Sequence, residues 1–114
     1  KGIAYAQNIG ILYASRNSEF IVTFDQDSKP GCDLIKKLLH EYLSLSALDF
    51  KIGCIGPSVI NQRSGQLYDK YFRGSKRLNE SAYSVNSIIS SGTLFKAAIF
   101  ANEIICLVTL CLYI

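Results

Sequence analysis

The stretch Phe20-Ile21-Val22-Thr23-Phe24-Asp25-Gln26-Asp27-Ser28 passes from an unbroken apolar, largely β-branched run to two carboxylates one residue apart. A run of this kind predicts a strand covered on both faces. Such strands belong to parallel sheets flanked by helices, so the expected fold class is α/β with this strand at the centre of the sheet. Open α/β sheets bind ligands in the crevice beyond the carboxyl ends of their strands. Residues just past a strand's end have left the pleat, so Asp25 and Asp27 can both turn toward one cation. Mg²⁺ or Mn²⁺ takes such oxygens, keeps several waters and leaves positions for phosphate oxygens. Asp27 projects further past the strand and is the expected principal metal contact, with Asp25 second. Asp-x-Asp after a strand is also the composition of an ordinary solvated turn.

Outward from this stretch, Ile3, Ala6, Ile9, Leu12 and Tyr13 fall near 3.6-residue spacing and predict a helix over 3–16 with that stripe against the core. On the other side, Lys29 precedes a proline and is pushed toward an extended conformation, so the acidic segment should not enter a helix at once. Pro30-Gly31 then opens a helix over 32–46, with Leu34, Ile35, Leu38, Leu39, Tyr42 and Leu45 as its apolar stripe. Lys51 to Ile60 predicts a strand that bends or ends at Gly56-Pro57, because proline cannot donate to a central ladder. Asn61 to Gly65 has turn composition, and 66–72 is expected to pair back. The polar stretch 73–84 is expected to be a loop, 84–90 a strand and 93–102 a helix.

With 114 residues the chain is one small domain, and a net charge of +3 is too mild to argue for nucleic acid. Lys70, Arg73, Lys76 and Arg77 cluster around Tyr71, Phe72 and Gly74; this is a solvated loop or a contact for lipid phosphates. Cys32, Cys54, Cys106 and Cys111 contain no C-x-x-C pair and carry no metal-ligand spacing, which favours a reduced, cytoplasmic compartment. His40 has no partners for nucleophilic or base chemistry in the sequence.

Gly2-Ile3-Ala4-Tyr5-Ala6-Gln7-Asn8-Ile9-Gly10-Ile11, then Asp25-Gln26-Asp27-Ser28, then Ser91-Gly92 within Ile88 to Leu94, occur in that order. In these motifs the chain resembles glycosyltransferase family 2 of the GT-A fold, and within it the bacterial rhamnosyltransferase branch. The likeness spans 1–103 as a partial domain of Rossmann-like, three-layer α/β/α architecture. It implies transfer of a sugar, rhamnose from dTDP-rhamnose, to a growing surface polysaccharide such as O antigen. It also implies Mg²⁺ or Mn²⁺ on Asp25 and Asp27, and Gly2, Asn8, Asp25, Ser91 and Gly92 around the nucleotide-sugar donor. The implied acceptor is a lipid-linked saccharide, met by peripheral contact with the inner face of the cytoplasmic membrane.

Two departures from the family pattern set further expectations. Lys1 lands directly on a motif, so a strand that holds the nucleotide base is expected to be missing upstream. Downstream, 104–114 is an uncharged apolar tail where the family carries Gly-x-Phe-Asp-Glu-x-Leu-Phe-Ile-Asp, and it falls short of the roughly 20 residues a membrane helix needs. Codons permitted for Ile105 to Tyr113, taken one base back, can spell Leu-Phe-Gly-Asp-Ser-Leu-Phe-Ile, so the tail is expected to be out of frame. No carboxylate then occupies the family's general-base position: Asp33, Glu41, Asp49, Asp69 and Glu80 lie elsewhere and Glu103 precedes it. The fragment alone is expected to be poorly stable and inactive. Two other readings of the residues stay open. One is a haloacid-dehalogenase-like phosphatase, which also places Asp-x-Asp after an apolar strand but wants something other than Ser28-Lys29-Pro30-Gly31 next. The other is a non-catalytic remnant domain.

Overall fold

The computed structural model describes residues 2–67, 74–100 and 110–113. Helix α1 spans Gly2–Ser15 and leads into strand β1, Phe20–Thr23; helix α2, Leu34–Ser46, leads into β2, Ile52–Gly56. Short strands β3 (Lys76–Arg77) and β4 (Tyr83–Val85) follow. Strand β5, Thr93–Lys96, runs into a 3-10 turn over Ala97–Phe100, and β6 is Leu110–Tyr113. The chain is therefore a mixed α/β protein.

The strands form one sheet in the order β1-β5-β2-β6-β4-β3, in which only β2 and β6 are parallel. Two sequence expectations are corrected by this topology. The sheet is mostly antiparallel, and β1 lies at its edge among the described residues rather than at its centre. A continuous apolar run reports that both faces of a strand are covered. It carries no information about which strands lie beside it.

Covering of the faces is what the run did signal. Strand side chains alternate. Phe20 and Val22 pack with Leu94, Ile55 and Ile52 beneath Leu38, Tyr42 and Leu45 of α2, the main core cluster. Phe20 meets the Tyr42 ring edge-on, with centroids 5.2 Å apart. On the opposite face Cys54 and Val85 form a second cluster with Tyr83, Ile88 and Phe95. Ile21, buried and in register with Phe95, lies on that side. Strand β2 ends where Pro57 follows Gly56, as its missing donor requires.

Helix α2 buries Leu38, Tyr42 and Leu45 and leaves Ile35 exposed. Helix α1 forms where its spacing predicts, but none of its residues is buried, and Ile3, Tyr5, Ile9, Leu12 and Tyr13 are exposed. The expected buried stripe on α1 is thus corrected: the helix touches β1 and the 3-10 turn and presents its other apolar side chains outward.

The polar stretch expected as a loop pairs in part, Lys76 with Ser84 and Arg77 with Tyr83. Its turn is tied down by the Asn79 carboxamide oxygen, which accepts from the Ser81 and Ala82 amides, and by Glu41, which accepts from Asn79 and Ser81. Asn61 to Gly65 is a turn as expected, closed by Gly65 N–H donating to Asn61 O and flanked by an Ile60–Leu67 bridge. The expected helix over 93–102 is replaced by β5 and the 3-10 turn, because Thr93–Lys96 is held between β1 and β2 and two ladders outweigh local propensity. Lys70, Asp69, Arg73, Glu103 and Cys106 lie outside the described residues. No helix among the described residues is long and apolar enough to cross a membrane.

Candidate functional site

Antiparallel pairing of β1 with β5 sets Thr23, the last residue of one strand, opposite Thr93, the first residue of the other. Whatever follows β1 must therefore meet whatever precedes β5. The segment after β1 is the acidic tetrapeptide, and the segment before β5 is Ser90-Ser91-Gly92. The two motifs, far apart in the chain, are brought together by this one ladder.

The acidic tetrapeptide is a hydrogen-bonded turn, with the Ser28 amide donating to the Asp25 carbonyl at 3.1 Å. Asp at the first position and a small polar residue at the last suit such a turn. It carries Asp25 and Asp27 together on an exposed tip. The turn is stitched to the Ser90-Ser91-Gly92 segment by several bonds. Gly92 N–H donates to the Thr23 carbonyl at 2.7 Å, and the Thr23 hydroxyl donates to the Ser90 carbonyl. The Asp25 amide donates to Ser91 Oγ at 3.2 Å, and the Ser28 and Ser91 hydroxyls are hydrogen-bonded to each other.

Gly92 is demanded by backbone and by space. Its φ of +78° lies in the left-handed region, and a Cβ there would stand 3.1 Å and 3.3 Å from the Pro57 ring and 3.6 Å from Leu34 Cδ2. The ends of β1 and β2 and the starts of α2 and β5 converge at this point. Behind it Thr93 is fully buried, its hydroxyl satisfied by the Ile89 carbonyl.

Of the residues expected around a donor, the structure brings Asp25, Asp27, Ser91 and Gly92 into one place. Gly2 and Asn8 are exposed on α1 and make no hydrogen bond to this turn among the described residues. Sequence reasoning gave no role to Ser28, Thr23 or Ser90. The Asp-x-x-Ser spacing was the available signal for Ser28, as a turn-closing residue. Thr23 and Ser90 act through a pairing that no local pattern announces.

Among the described residues no group of three or more His, Cys, Asp or Glu side chains gathers to hold a metal. Mg²⁺ and Mn²⁺ need no such group: they are held by one or two carboxylates with water and substrate phosphates completing the octahedron. Two exposed carboxylates on one tight turn, beside two hydroxyls, fit that donor set. His40 is exposed on α2 away from the turn, Glu41 is engaged by Asn79 and Ser81, and Cys32 is exposed while Cys54 is buried.

Compared with protein-family models, with curated proteins and with solved structures, the chain finds no match.

Proposed function

We propose that this chain is the donor-binding part of a nucleotide-sugar glycosyltransferase of family 2 with the GT-A fold, of the rhamnosyltransferase branch. The reading rests on the meeting of Asp25-Gln26-Asp27-Ser28 with Ser91-Gly92, two of the ordered motifs on which the resemblance stands. The β1–β5 ladder brings the two segments together, and the resemblance gives both of them to one donor site.

In this reading Asp27 and Asp25 would hold Mg²⁺ or Mn²⁺, and the bound ion would supply charge stabilisation for a diphosphate leaving group. The protein's own part is positional. The Asp25 amide is committed to Ser91, so both carboxylates sit on a turn whose backbone is fixed from two sides. Gly92 has no side chain, which lets the segment that bears Ser91 lie directly against Pro57 and Leu34. Gly2 and Asn8 belong to the nucleotide side. The acceptor would be a lipid-linked saccharide reached at the cytoplasmic face of the membrane, and the sugar would be rhamnose from dTDP-rhamnose. The residues gathered at the turn serve the donor, and the general base for the acceptor hydroxyl is not assigned to any of them.

The test is calorimetric titration of dTDP into the full chain with and without Mn²⁺. Binding that requires the metal and is lost in Asp27→Asn supports the reading. Metal-independent binding, or none, overturns it.

A further inference from the structure

Ser91, by the resemblance a contact of the transferring sugar, has its hydroxyl engaged inside the protein. A serine hydroxyl offers one hydrogen and two acceptor positions. Ser91 Oγ accepts from the Asp25 amide and shares a second bond with Ser28 Oγ. We propose that Ser91 is a positioning residue: with Ser28 it clamps both ends of the acidic turn, so that Asp25 and Asp27 are presented together to a divalent cation. The role of the clamp in cation binding rests on the donor-site reading above; the clamp itself is a matter of the turn's own bonds.

The geometry supports a clamp because its two bonds fall at the first and last residues of the turn, Asp25 and Ser28, while the turn's own bond joins the same two residues. Three contacts thus define four residues: Asp25 is itself one fixed point, and Asp27 lies between it and Ser28. The donor count adds a consequence. Asp25 N–H, Ser28 O–H and Ser91 O–H supply three hydrogens, and the two clamp bonds consume two of them. Whichever serine donates to the other, one hydroxyl hydrogen stays uncommitted. That hydrogen is free to be donated to water or to a phosphate or sugar oxygen.

Loss of the clamp should weaken metal binding more than it weakens the fold. The Asp25–Ser91 bond is exposed, so water replaces it at little cost to stability, whereas the paired orientation of the carboxylates is lost. The experiment is Mn²⁺ titration of the full chain, followed by the electron paramagnetic resonance of free Mn²⁺, alongside hydrogen exchange at the Asp25 amide. The variants are Ser91→Ala, Ser28→Ala, the double variant and Ser91→Thr, with Ser44→Ala on α2 as the control. A net hydrogen bond corresponds to about a three- to tenfold change. Ser91→Ala should weaken Mn²⁺ by about that factor and speed exchange at Asp25, Ser28→Ala should weaken Mn²⁺ no more than Ser91→Ala does, the double variant should be no worse than Ser91→Ala, and Ser91→Thr should restore both readings. Wild-type affinity in Ser91→Ala, or single effects that add, overturns the clamp. If the wild-type chain binds no Mn²⁺, the donor-site reading fails, and unchanged Asp25 exchange in Ser91→Ala then overturns the clamp on its own.

Discussion

The hydroxyls of Ser28 and Ser91, 63 positions apart in the chain, are hydrogen-bonded to each other at the carboxyl end of β1. The bond exists because β5 runs antiparallel to β1, so that the turn leaving one strand faces the turn entering the other. It joins the part of the chain that carries charge to the part that carries a left-handed glycine.

On the proposed donor-site reading, Asp27→Ala in a protein that joins this donor site to an acceptor site is expected to reduce sugar transfer by several orders of magnitude. Losing charge stabilisation of several kcal/mol at the diphosphate has that effect, since each ~1.4 kcal/mol is tenfold in rate. Initial rates at saturating donor and Mn²⁺ measure it. Asp25→Ala should fall less far, and transfer that persists in excess chelator would contradict the metal assignment.

Gly92→Ala should destabilise the fold more than Gly65→Ala. Both glycines have positive φ, +78° and +68°, but nothing lies within 4 Å of a Cβ at Gly65, whereas Pro57 is crowded at Gly92. The left-handed backbone alone costs about 1–2 kcal/mol, and overpacking adds about 1–3 kcal/mol at Gly92. Denaturant midpoints of the two variants give the comparison; equal losses would mean that the Pro57 contact gives way freely.

Burial raises the Tyr42 phenol above its ordinary value of 10.0, with a hydrogen bond to Ser46 opposing the shift. The folded chain then holds this proton more tightly than the unfolded chain. Its stabilising contribution is complete below about pH 10 and is lost as the pH rises through the folded value. Tyr42→Phe should flatten the alkaline limb of stability against pH. At neutral pH it should cost about 1 kcal/mol for the bond from the hydroxyl to the Ile52 carbonyl, 3.4 Å long. An alkaline limb of the same slope in both proteins would place the titration elsewhere.

Leu38→Ala and Leu12→Glu should behave oppositely. Leu38 is fully buried in the main core cluster, and its truncation should cost about 2–5 kcal/mol. Leu12 is 57% exposed on α1, so a charge there should change stability by less than about 0.5 kcal/mol. The same substitution should reduce self-association, because it breaks the outward apolar row formed with Ile3, Ile9 and Tyr13. Sedimentation velocity and thermal unfolding of both variants separate the two effects.

Local pattern alone determined the elements whose signals are local. The period of 3.6 placed α1 and α2, the β-branched run placed β1, Pro57 ended β2, and Asp25-Gln26-Asp27-Ser28 announced a turn bearing two carboxylates. Tertiary structure decided everything that depends on neighbours. It set β1 at the edge of a largely antiparallel sheet among the described residues, turned Thr93–Lys96 into a strand by pairing it on both sides, and left α1 exposed although its spacing matched that of a buried helix. It also supplied the partner of the acidic turn. The physical reason is the same in each case: periodicity records which residues share a face, whereas pairing order and the meeting of distant turns are set by which ladders and contacts the whole chain can satisfy at once.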